Sequence, residues 1–60
     1  MITEQSIFRT ADEMIRMSGF DTAKEEALTF ANQLLEKRDM EGRRVWLQVL
    51  DAIEELQHPH

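Results

Sequence analysis

Ile7-Phe8-Arg9-Thr10-Ala11-Asp12-Glu13-Met14-Ile15-Arg16-Met17-Ser18-Gly19 is the most legible run in the chain. Ile7, Phe8, Ala11, Met14, Ile15 and Ser18 recur at three- and four-residue spacing. Projected on a helical wheel they make one stripe about 120° wide, the pattern of a helix buried along one side. Arg9, Asp12, Glu13 and Arg16 fall outside the stripe, and Asp12 and Arg16 are spaced to pair across one helical turn. Upstream, Thr3 or Ser6 can cap the first turn, and Glu4 suits the positive end of the helix dipole. Downstream, Gly19 stops the helix, because glycine takes a left-handed conformation without steric cost. The run predicts a first helix over 4–18.

Outward from Gly19, Phe20-Asp21-Thr22-Ala23-Lys24-Glu25 reads as a second start. Asp21 can cap it, or Thr22 and Glu25 can form a capping box, which predicts a helix over 22–37. Ala23, Ala27, Leu28, Phe30, Ala31, Leu34 and Leu35 cover a wider arc of about 160°, as expected of a middle helix that touches both neighbours. In the turn Glu36-Lys37-Arg38-Asp39-Met40-Glu41-Gly42, Asp39 is the natural N-cap of a third helix over 40–57, with Gly42 inside its first turn. The alternative, in which the second helix runs on and Gly42 stops it, leaves Arg43-Arg44 at a helix start with no acidic residue before them. Val45, Trp46, Val49, Leu50, Ala52, Ile53 and Leu56 line the third helix, which Pro59 forces to end near Gln57. No stretch keeps the strict alternation of a strand.

The fold class is therefore all-α: a single domain, 1–60, of three short amphipathic helices in a small bundle that dimerisation would help to complete. Phe8, Ala11, Ile15, Ala27, Phe30, Ala31, Leu34, Val49, Leu50 and Ile53 are the expected core, and truncating Leu50 to alanine is expected to cost about 2–5 kcal/mol.

Composition narrows the function. With 42% hydrophobic and 32% charged residues in 60, the chain is built to fold, but at this length its core is small. Small domains lean on disulfides, a structural metal or a partner chain. Cysteine is absent, and the histidines, His58 and His60, sit at the terminus. Self-association or a protein partner is the support left. The longest apolar run, Val45-Trp46-Leu47, is far short of the roughly 20 residues of a membrane span and of a signal-peptide core. A cytoplasmic location and no membrane partner are expected. Net charge is −5, from 7 Lys+Arg against 12 Asp+Glu, and disfavours non-specific binding to nucleic acid.

Chemistry finds little footing. Ser6 and Ser18 have no neighbouring base, and His58 and His60 have nothing to orient them. The carboxylate pairs Asp12-Glu13, Glu25-Glu26 and Glu54-Glu55 are adjacent, so on a helix each pair diverges by about 100°. Asp39 and Glu41 before Gly42 do not match the spacing of a calcium-binding loop. No phosphate-binding loop, dinucleotide fingerprint or zinc-protease motif occurs. The chain is not expected to be an enzyme, and no metal, cofactor or small-molecule substrate is expected.

Two features point to partners instead. Lys37, Arg38, Arg43 and Arg44 crowd one turn and could meet an acidic protein or a phosphate backbone. The plainer reading is that Glu36, Asp39 and Glu41, interleaved among them, neutralise them. A helix-turn-helix use is weakened because the third helix continues into Asp51, Glu54 and Glu55. The second feature is apolar surplus. Met17 and Leu47 lie outside the helical stripes, and with Met1, Ile2 and Met40 they could form an adaptable surface. Trp46 reads first as a core residue and second as an interface anchor. The candidate partner surface is thus Met17, Met40, Arg43, Arg44, Trp46 and Leu47.

The order of Ile7-Phe8-Arg9-Thr10-Ala11, Gly19, the alanine-rich Ala23 to Leu35, Asp39-Met40-Glu41-Gly42, Val45-Trp46 and Ala52-Ile53-Glu54-Glu55-Leu56-Gln57 resembles a group of short, uncharacterised bacterial helical proteins. The resemblance implies a compact helical fold and no assigned activity. Where such sequences often carry glycine before the turn aspartate, this chain has Arg38, which costs roughly 1 kcal/mol or more in a left-handed conformation. The expected function is a non-enzymatic protein–protein interaction module: a cytosolic adaptor, regulator or small subunit, expected as a homodimer that packs helix three against helix three or helix one of its mate, or as a subunit of a complex. The competing expectation is a nucleic-acid-associated regulator that uses the basic turn.

Overall fold

The computed structural model describes residues 3–58; Met1, Ile2, Pro59 and His60, named above for adaptable surface, helix termination and the terminal histidines, lie outside the described residues. Three helices follow in order: α1 (Glu4–Ser18), α2 (Phe20–Glu36) and α3 (Met40–Gln57). Thr3 caps α1 from extended backbone, its Oγ1 accepting the Ser6 N–H at 3.2 Å. Asp12 and Arg16 pair at 3.0 Å on the exposed side of α1.

Gly19 does more than end α1. Its N–H donates to Ile15 C=O at 2.8 Å, and its C=O accepts the Ala23 N–H at 3.0 Å. One residue therefore closes the first helix and opens the second. Its φ of 83° and ψ of 168° lie not in the left-handed helical region but in the extended region at positive φ, which side chains all but forbid. This sharp reversal corrects the expected start of α2. The helix begins at Phe20 rather than 22, with no side-chain cap, so neither Asp21 nor a Thr22–Glu25 box does the capping and Asp21 sits within the first turn.

The second turn is built by hydrogen bonds. Arg38 N–H donates to Leu35 C=O at 3.0 Å and Asp39 N–H to Leu34 C=O at 2.8 Å, the two bonds of a Schellman ending, with Arg38 left-handed at φ 60°. Asp39 then caps α3, its Oδ1 accepting the Gly42 N–H at 2.9 Å.

The helices pack unequally. α3 lies most extensively against α2 and next against α1, while α1 and α2 touch least. The helix that both others lean on is therefore α3, and the wide apolar arc of α2 has another meaning. Leu28, Phe30 and Leu35 are 47%, 41% and 44% exposed, so part of that arc faces outward. Among the described residues seven are buried, and five of these are alanines (Ala11, Ala23, Ala27, Ala31 and Ala52); only Val49 and Ile53 are larger. Small side chains let helix axes approach closely, and most larger groups surround them. Phe8, Ile15 and Leu50 are half-buried and pack against that core, whereas Leu34 is half-buried outside it and Phe30 is exposed, against expectation. Ala23 and Ala52 take their place. The full cost of a large-to-small truncation thus moves from Leu50 to Ile53, the largest side chain completely shielded from water.

Candidate interaction surface

At the α2–α3 end, the four cations named from sequence converge without being neutralised. Among the described residues the ion pairs are Arg16 with Asp12 and Lys24 with Asp21, and neither involves Lys37, Arg38, Arg43 or Arg44. The expected pairing with Glu36, Asp39 and Glu41 is not made, and for Asp39 the reason is local. The Asp39 carboxylate is committed to the Gly42 amide as the helix cap, with a Cβ on Gly42 falling only 2.8 Å from its Oδ2. Arg44 is exposed, whereas Arg43 is half-buried with its Nε covered and without a hydrogen-bond partner. An unpartnered, desolvated guanidinium nitrogen is an unfavourable arrangement.

Trp46 is half-buried and stacks on Phe30 of α2, ring centroids 4.7 Å apart and planes 29° from parallel. Its other neighbours, Ser6, Ile7 and Thr10 of α1 with Val45 and Val49 of α3, line a shallow, mostly apolar groove of about 270 Å³. The indole therefore lies between Phe30 of α2 and the groove formed by α1 and α3. Phe30 was placed in the core by its helical position. Its role as the stacking partner of Trp46 depends on how α2 and α3 are juxtaposed, which periodicity within one helix does not encode.

The candidate residues do not form one patch. Met17, 86% exposed, lies beside the Gly19 turn, whereas Met40, 54% exposed, opens α3 at the opposite turn. The 17-residue length of α2, about 25 Å, separates those turns. Leu47 is half-buried, between Arg43 and Arg44 on one side and Asp51 on the other along α3. Met40, Arg43, Arg44 and Leu47 share the outer side of α3, Trp46 belongs to the inner groove, and Met17 stands apart.

Two exposed leucines of α2, absent from the candidate surface drawn from sequence, add to it. Leu28 and Leu35, seven residues apart, lie on one side of α2. That helix runs antiparallel to α3, with Lys24 Nζ donating to Gln57 Oε1 at 2.8 Å near one end and Phe30 on Trp46 toward the other. This register sets Leu28 level with Leu50 and Leu35 level with Arg43. The signal was present as two leucines at helical spacing, but their wide position on the arc was read as packing surface.

Beyond Leu47 the surface turns acidic: Asp51, Glu54 and Glu55 border a second, open hollow with His58. Among the described residues no group of three His, Cys, Asp or Glu side chains is placed to hold a metal ion, and no helix is long and apolar enough to cross a membrane. No protein-family model, curated protein or solved structure matches the chain.

Proposed function

We propose that this chain acts as a non-enzymatic helical protein–protein interaction module, a small cytosolic adaptor, regulator or subunit that works by presenting the outer side of α2 and α3. One observation carries the reading: the inversion of size between core and rim. Alanines occupy most of the buried positions while Leu28, Phe30, Leu35 and Met40 remain 41–54% exposed. Each of these leaves on the order of 90 Å² of apolar side chain in water, worth roughly 2 kcal/mol if covered. Isolated exposed hydrophobes are ordinary. Two leucines seven residues apart on one side of α2, the first level with half-buried Leu50, are the kind of clustered apolar surface that marks an interface.

The test is the size of the chain in its native extract. The wild type is expected to migrate well above its 7.1 kDa mass, and a Leu28→Glu/Leu35→Glu variant to return to that mass while its circular dichroism stays helical. A wild-type chain that migrates at its own mass in the extract sinks the reading.

A second reading, a nucleic-acid-associated regulator, draws on the unpaired cations Lys37, Arg38, Arg43 and Arg44. Phosphate contacts would make binding fall steeply with salt, whereas apolar docking would barely respond. The carboxylates of Asp51, Glu54 and Glu55 on the same helix oppose an extended phosphate track, so protein association is the preferred reading.

A further inference from the structure

Building on the reading of the chain as an interaction module, we propose that its partner is a second copy of itself, docked with the two α3 helices antiparallel about a two-fold axis level with Val49. The argument starts from the order of charges along α3. Arg43 and Arg44 lie in its first turns, Asp51, Glu54 and Glu55 in its last turns, and Leu47 between them. Successive residues turn by about 100°, which sets Arg43, Arg44, Leu47, Asp51 and Glu54 on the side opposite buried Val49, Ala52 and Ile53.

A helix face that is basic at one end and acidic at the other repels a parallel copy and matches an antiparallel one. With the axis level with Val49, Arg43 stands opposite Glu54 of the second copy and Arg44 opposite its Glu55, each pair on one flank of the contact. Symmetry repeats both pairs. The two Leu47 side chains lie on either side of the axis, about 6 Å apart along the helices, each level with Asp51 of the second copy, and Met40 closes each end. Such a contact is isologous, so it closes as a dimer and does not propagate.

Three further observations favour this occupant. The cations it would use make no ion pair within their own chain. Arg43 carries a covered Nε with no hydrogen-bond partner, so a carboxylate brought beside its guanidinium would offset an existing deficit. An acidic protein or a nucleic acid could satisfy the basic half alone, but only by setting its negative charge against Asp51, Glu54 and Glu55. A second copy satisfies both halves at once. Size also suffices. The 18 residues of α3 span about 27 Å, and with the flank of α2 bearing Leu28 and Leu35 the face is roughly 20 Å wide, near the lower limit of a specific interface.

Sedimentation of the purified full chain tests the proposal. The wild type is expected at twice 7.1 kDa at micromolar concentration, with affinity that weakens moderately as salt rises. Arg44→Glu and Glu55→Arg each exchange an attraction for a repulsion twice per dimer. Each alone is expected to weaken self-association at least ten-fold with helicity unchanged, since both side chains are exposed. Mixing the two single variants is expected to restore a dimer containing one chain of each, and so is combining both changes in one chain. A wild type that stays at 7.1 kDa throughout, or a dimer indifferent to either reversal, overturns the antiparallel α3 contact. If the purified chain is monomeric while the large species in native extract persists and still depends on Leu28 and Leu35, the second copy is wrong and the interaction module stands. If neither species forms, both fail.

Discussion

The two turns of this molecule solve the same problem by different means. Between α1 and α2 a single residue reverses the chain, and the whole solution lies in the backbone freedom of Gly19. Between α2 and α3 three residues do it, through two Schellman bonds, a left-handed Arg38 and a carboxylate cap from Asp39. The first turn has one determinant and no redundancy. The second divides its task among several weak interactions and tolerates one strained residue because the others hold it. The lesson is that a short link concentrates its dependence on one position, while a hydrogen-bonded link spreads it.

Substitutions can break or sharpen that contrast. The largest effect is expected at Gly19→Ala. Nothing lies within 4 Å of an added Cβ, so the cost is backbone strain alone, about 2–3 kcal/mol in a region that glycine nearly monopolises. Thermal or urea melts monitored by circular dichroism measure it. A D-alanine at the same position in a synthetic chain should recover the loss, since its mirror-image preference fits positive φ; failure to do so would mean that something other than dihedral strain is at work. Next comes Asp39→Ala, which removes one of the shared supports and should cost about 1 kcal/mol. A loss as large as that at Gly19 would show the second turn to be as undivided as the first. Arg38→Gly should work in the other direction. Relief of left-handed strain, less the greater freedom of glycine in the unfolded chain, gives a gain of roughly 0.5–1 kcal/mol. The smallest change is expected at Gly42→Ala. Alanine normally adds about 1 kcal/mol inside a helix, but here its Cβ would lie 2.8 Å from Asp39 Oδ2 and 3.1 Å from Leu34 Cδ1, so the gain should vanish. Full stabilisation would show that the cap can step aside.

Much of this was legible from residue order, for reasons that are local. The three helices announce themselves by periodicity, and the Asp39 cap by a short polar side chain before an apolar-periodic run. The left-handed conformation of Arg38 was signalled only by the resemblance, whose members often carry glycine at that place. What escaped reading depends on three-dimensional approach. The start of α2 was set two residues late, because capping side chains at Asp21 and Thr22 looked necessary and the reversal at Gly19 made them superfluous. The stripes identified which sides turn inward, but alanines fill the centre, so Phe8, Ile15 and Leu50 are only half-covered against it and Phe30 is left exposed. Ala23 and Ala52, small enough to pass as filler, became the floor. The basic turn misled in the opposite sense. Alternating signs along the sequence suggested mutual neutralisation, yet a carboxylate already engaged as a cap is poorly placed to act as a counter-ion.

The unequal packing of the helices also bears on how the molecule assembles in time. α2 and α3 share the largest contact and are joined by a three-residue link, so their pairing closes a short loop and is rewarded at once. α1 is attached by one residue but gains little from α2 alone, and its landing site on α3 exists only after the hairpin has formed. We therefore expect the α2–α3 hairpin to be the nucleus. Truncation of Ile53 should then slow refolding, whereas truncation of Ile7 should mainly speed unfolding. The amides of α1 should exchange with solvent through openings that leave the other two helices intact. Leu28, Leu35, Leu47 and the charges of α3 all ride on the hairpin, so its association surface would outlast the departure of the first helix.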